Sequence, residues 1–205
     1  MNKPKIKYLD NKTFLECLEN NNFNRVLIND NIDKDIVISN IEFNECKFIN
    51  VDFSNIKLNK VDLIDCIFIN CSLSNQKFDY VSINRVEFNN CKLMGISFMD
   101  SSIRDLKIDS SNLNYLNLSG SKVTNLEINN SSIEESTFNE CELKNIIFDN
   151  NNFNGSDFLN TSLNKIDFST SSIENIGIDL YSIKGMIING LDAKYLVSIL
   201  GVITK

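Results

Sequence analysis

The sequence predicts an all-β solenoid, a rod of stacked repeats, and three observations support this fold class. Every fifth residue from position 38 to position 188 is Phe, Leu, Ile or Val, which makes 31 consecutive apolar positions. The residue two places before each of them is mostly small or apolar, as in Ile41, Cys46 and Val51. The other three positions are mostly Asn, Ser, Asp, Glu and Lys. Because a period of five fits neither an α-helix nor a simple strand, it indicates a repeated unit with two inward positions.

The repeat occupies residues 36–190, and residues 1–35 precede it as an N-terminal cap with an irregular first coil. Within this cap, segment 13–21 carries apolar residues at helical spacing, namely Phe14, Leu15 and Leu18. We therefore expect a short capping helix there, entered from Asn11 or Lys12. Stacked repeats need caps because their ends expose apolar surface and unpaired strand edges.

Residues 191–205 are expected to form a C-terminal capping helix, with Asp192 as its N-cap and Gly201 just after its end. The apolar residues of this segment are more numerous than a cap alone needs, and they are Tyr195, Leu196, Ile199, Leu200, Val202 and Ile203. They can cover the last coil, form the two-fold contact of a homodimer, or do both.

The composition argues against catalysis. The chain has 205 residues, enough for one domain, and no His, so it lacks the commonest general base and metal ligand. It has no nucleophile–base set, no glycine-rich phosphate loop and no CxxC spacing. Five of its six Cys fall at the small inward position, where we expect packed, reduced thiols. We expect no enzymatic activity, no catalytic residue, no metal and no cofactor.

The first residues of the chain are charged and lack the apolar core of a secretory signal. No apolar stretch approaches the ~18 residues that a membrane-spanning helix requires. These features predict a cytoplasmic protein without a membrane partner.

The negative charge is concentrated in the repeat. Residues 36–190 carry 20 acidic and 12 basic side chains, and most of the excess lies in residues 111–190, with 10 acidic and 4 basic. An acidic protein binds nucleic-acid phosphates poorly, so we expect a protein partner and no direct nucleic-acid binding. The candidate partner-binding residues form a predicted acidic face of Glu127, Glu134, Glu135, Glu140, Glu142, Asp149, Asp157 and Asp167.

Several repeats carry a recognisable motif, as in Val51-Asp52-Phe53, Val61-Asp62-Leu63, Ser156-Asp157-Phe158 and Ile166-Asp167-Phe168. From Ile36 to about Gly190 the chain resembles the pentapeptide repeat family, whose motif is A-(D/N)-L-x-x. The resemblance implies a right-handed quadrilateral parallel β-helix with 20 residues per coil, which gives about 7.75 coils here. At the ~4.8 Å spacing of neighbouring strands, the rod would be roughly 37 Å long.

The tail, Ile183-Lys184-Gly185-Met186 followed by segment 196–203, is similar to the end of the gyrase-protecting, quinolone-resistance branch of that family. Members of this branch dimerise through this end, and many carry loops that interrupt the β-helix. This chain has no insertion between positions 38 and 188.

The resemblance implies a homodimer that mimics duplex DNA, binds a type II topoisomerase such as DNA gyrase, and modulates it or protects it from quinolones. The mimicry is weak in charge, since roughly 37 Å of B-DNA carries about 22 negative charges, whereas the repeat has a net charge of −8 from 20 acidic and 12 basic residues. The alternative is a structural or scaffold rod that binds an unrelated protein.

Overall fold

The computed structural model describes residues 1–199 and residue 203. Parallel strands in this part of the chain stack into a β-solenoid with a short helix near each end, which confirms the predicted β-helix. In chain order the elements are β1 (Asp10–Asn11), α1 (Phe14–Glu19), β2 (Phe23–Asn24), β3 (Val26–Ile28), β4 (Ile36–Asn44), β5 (Lys47–Ile49), β6 (Ile56–Ile69), β7 (Ser82–Asn89), β8 (Ser102–Asp109), β9 (Lys122–Asn129), β10 (Glu142–Asp149) and α2 (Gly190–Ile199).

Each regular coil takes 20 residues and has four sides. Strand pairing shows this period directly, because Ile83 pairs with Ile103 and Ile103 pairs with Val123. We number the sides by their central inward residues: side 1 carries 58, 78 and 98; side 2 carries 63, 83 and 103; side 3 carries 68, 88 and 108; side 4 carries 73, 93 and 113. Strands β7 to β10 cover sides 2 and 3, whereas turns and single bridges cover sides 4 and 1.

The corners of the coil are formed by the fifth residue of most repeats, which adopts a left-handed backbone conformation. At the corner between sides 3 and 4, φ is 57° at Asn50, 54° at Asn70 and 53° at Asn90. Asn tolerates this conformation better than most side chains. The side-chain amide of Asn70 donates to Asn50 Oδ1 at 3.1 Å, and that of Asn90 donates to Asn70 Oδ1 at 2.8 Å. The abundance of Asn therefore serves the corners.

The core is a ladder of like residues, as the sequence predicts. Phe48, Phe68 and Phe88 stack with ring centroids 4.8 Å apart and interplanar angles of 9° and 17°. The later pair of Phe148 and Phe168 is tilted by 51° at 5.3 Å. The ring of Phe153, from the next side, packs against both members of this pair, with centroids 4.7 and 5.3 Å away.

Buried hydroxyl groups form a second ladder, two positions before the central residue. Ser101 Oγ accepts a hydrogen bond from the N–H of Val81 at 3.2 Å and donates one to the carbonyl of Phe78 at 2.8 Å. One coil later, Ser121 makes the same two bonds, with the N–H of Ser101 and the carbonyl of Phe98. Each hydroxyl is thereby satisfied without water, as buried polar groups require.

Helix α1 begins after Thr13, so the predicted entry at Asn11 or Lys12 is wrong. Thr13 Oγ1 accepts from the N–H of Glu16, and the Glu16 carboxylate accepts from the N–H of Thr13 at 2.7 Å. This reciprocal capping box fixes the start. The helix ends at Glu19, earlier than predicted, because Asn21 adopts φ of 46°.

Helix α2 begins at Gly190, so the prediction that Asp192 is its N-cap is wrong. Asn189 Oδ1 accepts from the N–H groups of Leu191 and Asp192 at 2.9 and 3.0 Å, while its amide donates to Asp192 Oδ2 at 2.6 Å. Asn189 therefore does the capping, and Asp192 lies in the first turn, where its charge favours the helix. Among the described residues, no helix has the length and apolar character needed to cross a membrane.

The repeat register slips locally near the end of the rod, where the sequence predicts no interruption. Position 181 belongs to the series of small inward positions, but Tyr181 is 63% exposed and Ser182 is fully buried in its place. A phenol ring is too large for this space, so the chain bulges. Asp179 holds the bulge by accepting from the N–H groups of Ser182 and Asn160 at 2.7 and 2.8 Å.

An N-terminal arm, residues 1–7, lies along the corner between sides 2 and 3, and no sequence pattern predicts it. The N–H of Lys5 donates to Asp65 Oδ1 at 2.7 Å, and the backbone and side chain of Asn2 donate to the two oxygens of Asp105 at 2.8 and 3.0 Å. Pro4 is half-buried against the rod. The arm thus spans coils that are far apart in sequence and buries both carboxylates.

Candidate protein-binding surface

The eight acidic residues of the predicted acidic face do not lie on one face of the rod. Consecutive repeats occupy consecutive sides, so acidic residues that are dense in sequence are spread around the coil. Glu127, Asp149 and Asp167 lie on side 3, Glu134 on side 4, Asp157 on side 1, Glu142 on side 2, and Glu135 and Glu140 at corners, as the 20-residue pairing register assigns them.

Side 3 nevertheless carries a continuous set of carboxylates, which we call the acidic stripe: Glu87, Asp109, Glu127, Asp149 and Asp167. Pairing places Glu87, Lys107 and Glu127 in one column and Asp109, Asn129 and Asp149 in the column beside it. One carboxylate therefore appears on each of five successive coils, alternating between the two columns.

Sequence reasoning missed two members of this stripe, Glu87 and Asp109. Both precede residue 111, where the acidic excess in the sequence begins, so counting charges along the chain did not find them. The available signal was the coil period, because Glu87, Glu127 and Asp167 are separated by multiples of 20.

Two carboxylates of the acidic stripe, those of Glu127 and Asp167, have a lowered pKa. Lys107 Nζ contacts Glu127 Oε1 at 2.6 Å, and this bond, with one from the Asn129 amide, keeps the pKa of Glu127 below its ordinary value. The hydroxyl and N–H of Ser169 lower the pKa of Asp167 in the same way. Opposite charge and donated hydrogen bonds both favour the charged carboxylate. These two carboxylates are therefore ionised near neutral pH.

The cysteine side chains are enclosed within the rod. All six are free and buried. Burial raises the pKa of the Cys17 and Cys141 thiols to about 11, so they stay protonated and weakly nucleophilic. Across residues 1–199, no cluster of three or more Cys, Asp or Glu side chains could hold a metal ion.

Two members of the predicted C-terminal apolar set lie in α2 and pack against the core. Leu196 is buried, and half-buried Tyr195 packs against the same core. A cavity of about 190 Å³ remains between α2 and the last coil, lined by Ile183, Met186, Ile188, Ala193, Leu196 and Val197. Leu196 therefore acts as part of the lid.

The other members of that set are exposed or not described. Ile203 is exposed, whereas Leu200, Val202 and the side chain of Ile199 lie outside the described residues. Four further apolar side chains are exposed around this end, and the sequence analysis did not select them as a contact: Leu180, Tyr181, Ile187 and Leu191.

Comparison with known proteins finds the same architecture in solved structures. A family model described as "Pentapeptide repeat region" matches residues 61–138. HetL, a pentapeptide repeat protein involved in heterocyst differentiation regulation from the cyanobacterium Nostoc sp. strain PCC 7120, superposes with a TM-score of 0.58 at 11% identity, covering 92% of this chain and 90% of HetL. At that identity the likeness shows the fold alone.

A second solved structure is that of trypsin-treated QnrB1, a plasmid-mediated fluoroquinolone resistance protein. Its TM-score is 0.47 at 19% identity, covering 89% of this chain and 88% of that one. Among curated proteins, no sequence matches this chain.

Proposed function

This chain is a pentapeptide repeat protein, and we propose that it is a non-enzymatic rod that mimics duplex DNA and binds a type II topoisomerase such as DNA gyrase in the cytoplasm. The observation that supports this proposal is the acidic stripe on side 3. The acidic stripe would contact the cationic surface on which the topoisomerase otherwise holds DNA.

The net charge of the acidic stripe is about two thirds of that of one DNA strand, because Lys107 offsets one of its five carboxylates. Five carboxylates on five successive coils span roughly 19 Å at ~4.8 Å per coil. One strand of B-DNA places a phosphate every ~3.4 Å and so carries about six over that length. The net charge of the whole rod, averaged over four sides, understates this match. The mimicry is therefore proposed for one strand edge of the duplex.

The rigidity of side 3 also favours binding. Four of the five carboxylates, all except Asp167, are carried by β7 to β10, whose parallel pairing fixes each position relative to the neighbouring coils. Asp109 is further held by the Asn130 amide at 3.0 Å and the Ser110 hydroxyl at 3.1 Å. Carboxylates already ordered in the free protein lose little conformational entropy on binding.

We further propose that two copies join through the C-terminal end. The side chains of Leu180 and Tyr181, which precede α2, and of Leu191, in its first turn, are exposed there, and a two-fold contact would bury them on both copies. Such a contact would place two acidic stripes one after the other along a longer rod.

Titration of the protein into a gyrase supercoiling assay, with and without a fluoroquinolone, tests this function. We expect inhibition of supercoiling at micromolar protein, or recovery of supercoiling in the presence of the drug at lower protein concentration. Unchanged supercoiling in both arms would contradict gyrase as the partner.

One observation favours a scaffold rod with an unrelated protein partner as the second candidate. Ile147 interrupts the column between Glu127 and Asp167 and is 57% exposed. An exposed isoleucine among carboxylates suits an apolar contact better than it suits phosphate mimicry. This candidate would be supported if the wild-type chain captures a different protein and the Ile147→Asp variant does not.

A further inference from the structure

The basic residues of the C-terminal half of the rod are gathered on side 2 and its corner with side 3. The only Lys or Arg residues between positions 111 and 190 are Lys122, Lys144, Lys165 and Lys184. Arg104 precedes them on side 2, and all five are exposed. We call this set the basic stripe: Arg104, Lys122, Lys144, Lys165 and Lys184.

The basic stripe resembles the acidic stripe in construction, except that Lys165 lies at the corner between sides 2 and 3, outside both columns. Arg104, Thr124 and Lys144 follow one another in one column, and Ser102, Lys122 and Glu142 in the other. One cation therefore appears on each of five successive coils. Arg104, Lys122 and Lys144 border a groove of about 580 Å³ that has Leu143 in its wall and Tyr181 at its end.

The cations of the basic stripe are largely free of internal partners. Lys122 Nζ lies 3.0 Å from Glu142 Oε1, but both side chains are 71% exposed, so water competes for this pair. Among the described residues, the other four cations form no salt bridge within 4.0 Å.

The two stripes complement each other in sign, number and period. Each has five charges of one sign and one opposite charge, Lys107 or Glu142, that pairs inside its own stripe. Each presents one charge per coil, and both repeat at the ~4.8 Å spacing of stacked strands. The acidic stripe runs from 87 to 167 and the basic stripe from 104 to 184, so the two are offset by about one coil.

We propose that the basic stripe binds the acidic stripe of a second copy of this chain, with the two rods side by side and parallel. A parallel arrangement keeps every coil of one rod level with a coil of the other, so pairs on successive coils form together. A nucleic acid fits less well, because acidic groups such as Asp157 and Asp167, on the two neighbouring sides, flank the basic stripe and repel phosphates.

This contact differs from the C-terminal one in symmetry. It joins two different sides of the rod, so it is heterologous and leads to rings or filaments rather than to a two-fold dimer. It would also cover the acidic stripe and thus compete with the partner of the proposed function. The inference does not depend on that function, because self-association is measured without any topoisomerase.

Sedimentation velocity of the full chain at about 20 mM and about 500 mM NaCl tests the proposal. Single exposed ion pairs contribute little, so the contact depends on several pairs at once and is sensitive to salt. We expect species larger than a dimer in low salt, with an association constant at least about tenfold weaker in high salt.

Charge-reversal variants identify the surfaces. Arg104→Glu with Lys144→Glu, or Asp109→Lys with Asp149→Lys, is expected to abolish the larger species, and an equimolar mixture of the two double variants is expected to restore association. Lys57→Glu with Lys77→Glu makes the same change in charge at exposed positions on side 1 and is expected to retain it.

Three results would overturn the proposal. The first is wild-type protein that shows no species above a dimer in low salt. The second is a side 1 control that loses association as completely as the stripe variants, and the third is a mixture of stripe variants that fails to associate. If a labelled oligonucleotide or polyglutamate binds the basic stripe and the protein does not self-associate, the partner of the basic stripe is a different anionic molecule and not a second copy of this chain.

Discussion

Arg85 and Asp65 form a two-point ion pair at the corner between sides 2 and 3. The Arg85 Nε and a terminal guanidinium nitrogen each lie 2.6 Å from a different carboxylate oxygen of Asp65. The side chains are only 19% and 8% exposed, because the N-terminal arm covers them and the N–H of Lys5 also donates to Asp65. This pair therefore links two coils and the arm.

Replacement of Arg85 by Ala is expected to destabilise the fold by about 2–4 kcal/mol, because it leaves the buried Asp65 carboxylate without its main partner. Urea denaturation measures this change. Arg25→Ala serves as the control, since Arg25 is 63% exposed and its 3.3 Å contact with Glu45 should contribute less than about 1 kcal/mol. Equal losses in the two variants would contradict a special role for the Arg85–Asp65 pair.

The arm is expected to make stability depend on pH in the acidic range. Burial disfavours the charged forms of Asp65 and Asp105, but hydrogen bonds from Arg85, Lys5 and Asn2 outweigh it and hold the pKa of both carboxyls below the ordinary value. A lowered native pKa means stability that is present above the unfolded value of about 3.9 and lost as pH falls through the native pKa.

Unfolding free energies measured between about pH 2 and pH 6 test this expectation. Wild-type stability should rise with pH over the lower part of this range, and Asp65→Asn with Asp105→Asn should flatten the rise. A double variant with the same slope as wild type would show that other carboxylates control acid unfolding.

The buried hydroxyl ladder predicts a cost for removing a single oxygen. Ser121→Ala leaves the N–H of Ser101 without its acceptor inside the rod, which is expected to cost about 1–3 kcal/mol. Ser119→Ala, two residues away and partly exposed, should change stability by less than about 0.5 kcal/mol. Thermal and urea denaturation of both variants decide the matter, and a neutral Ser121→Ala would contradict the ladder.

The sequence predicts the regular part of this molecule well because the coil repeats one short rule. Sequence periodicity alone predicts that Phe48, Phe68 and Phe88 lie above one another inside the rod, and the structure stacks those rings. The exceptions depend on contacts distant in sequence or on side-chain size. Asn2 meets Asp105, and Tyr181 is displaced from a place too small for it. Neither feature has a periodic signal.

The candidate surface was harder to predict than the fold. The predicted acidic face is a dense run of acidic residues in the sequence. Because consecutive repeats lie on consecutive sides of the rod, such a run is distributed around the coil. Glu134 and Asp149 are close in sequence yet lie on different sides, whereas Glu87 and Glu127 share a column. The coil period, applied to the charged positions as well as to the apolar ones, separates the acidic from the basic stripe.

The affinity of the protein for gyrase, measured at several salt concentrations for side-specific charge variants, tests the central proposal most directly. Asp109→Lys with Asp149→Lys removes charge from the acidic stripe, and Asp157→Lys with Glu174→Lys makes the same change on sides 1 and 4. The stripe variant is expected to bind at least about tenfold more weakly and with a smaller salt dependence, while the control stays within about twofold of wild type. Equal affinities for the stripe variant and wild type would contradict the acidic stripe as the partner-binding surface.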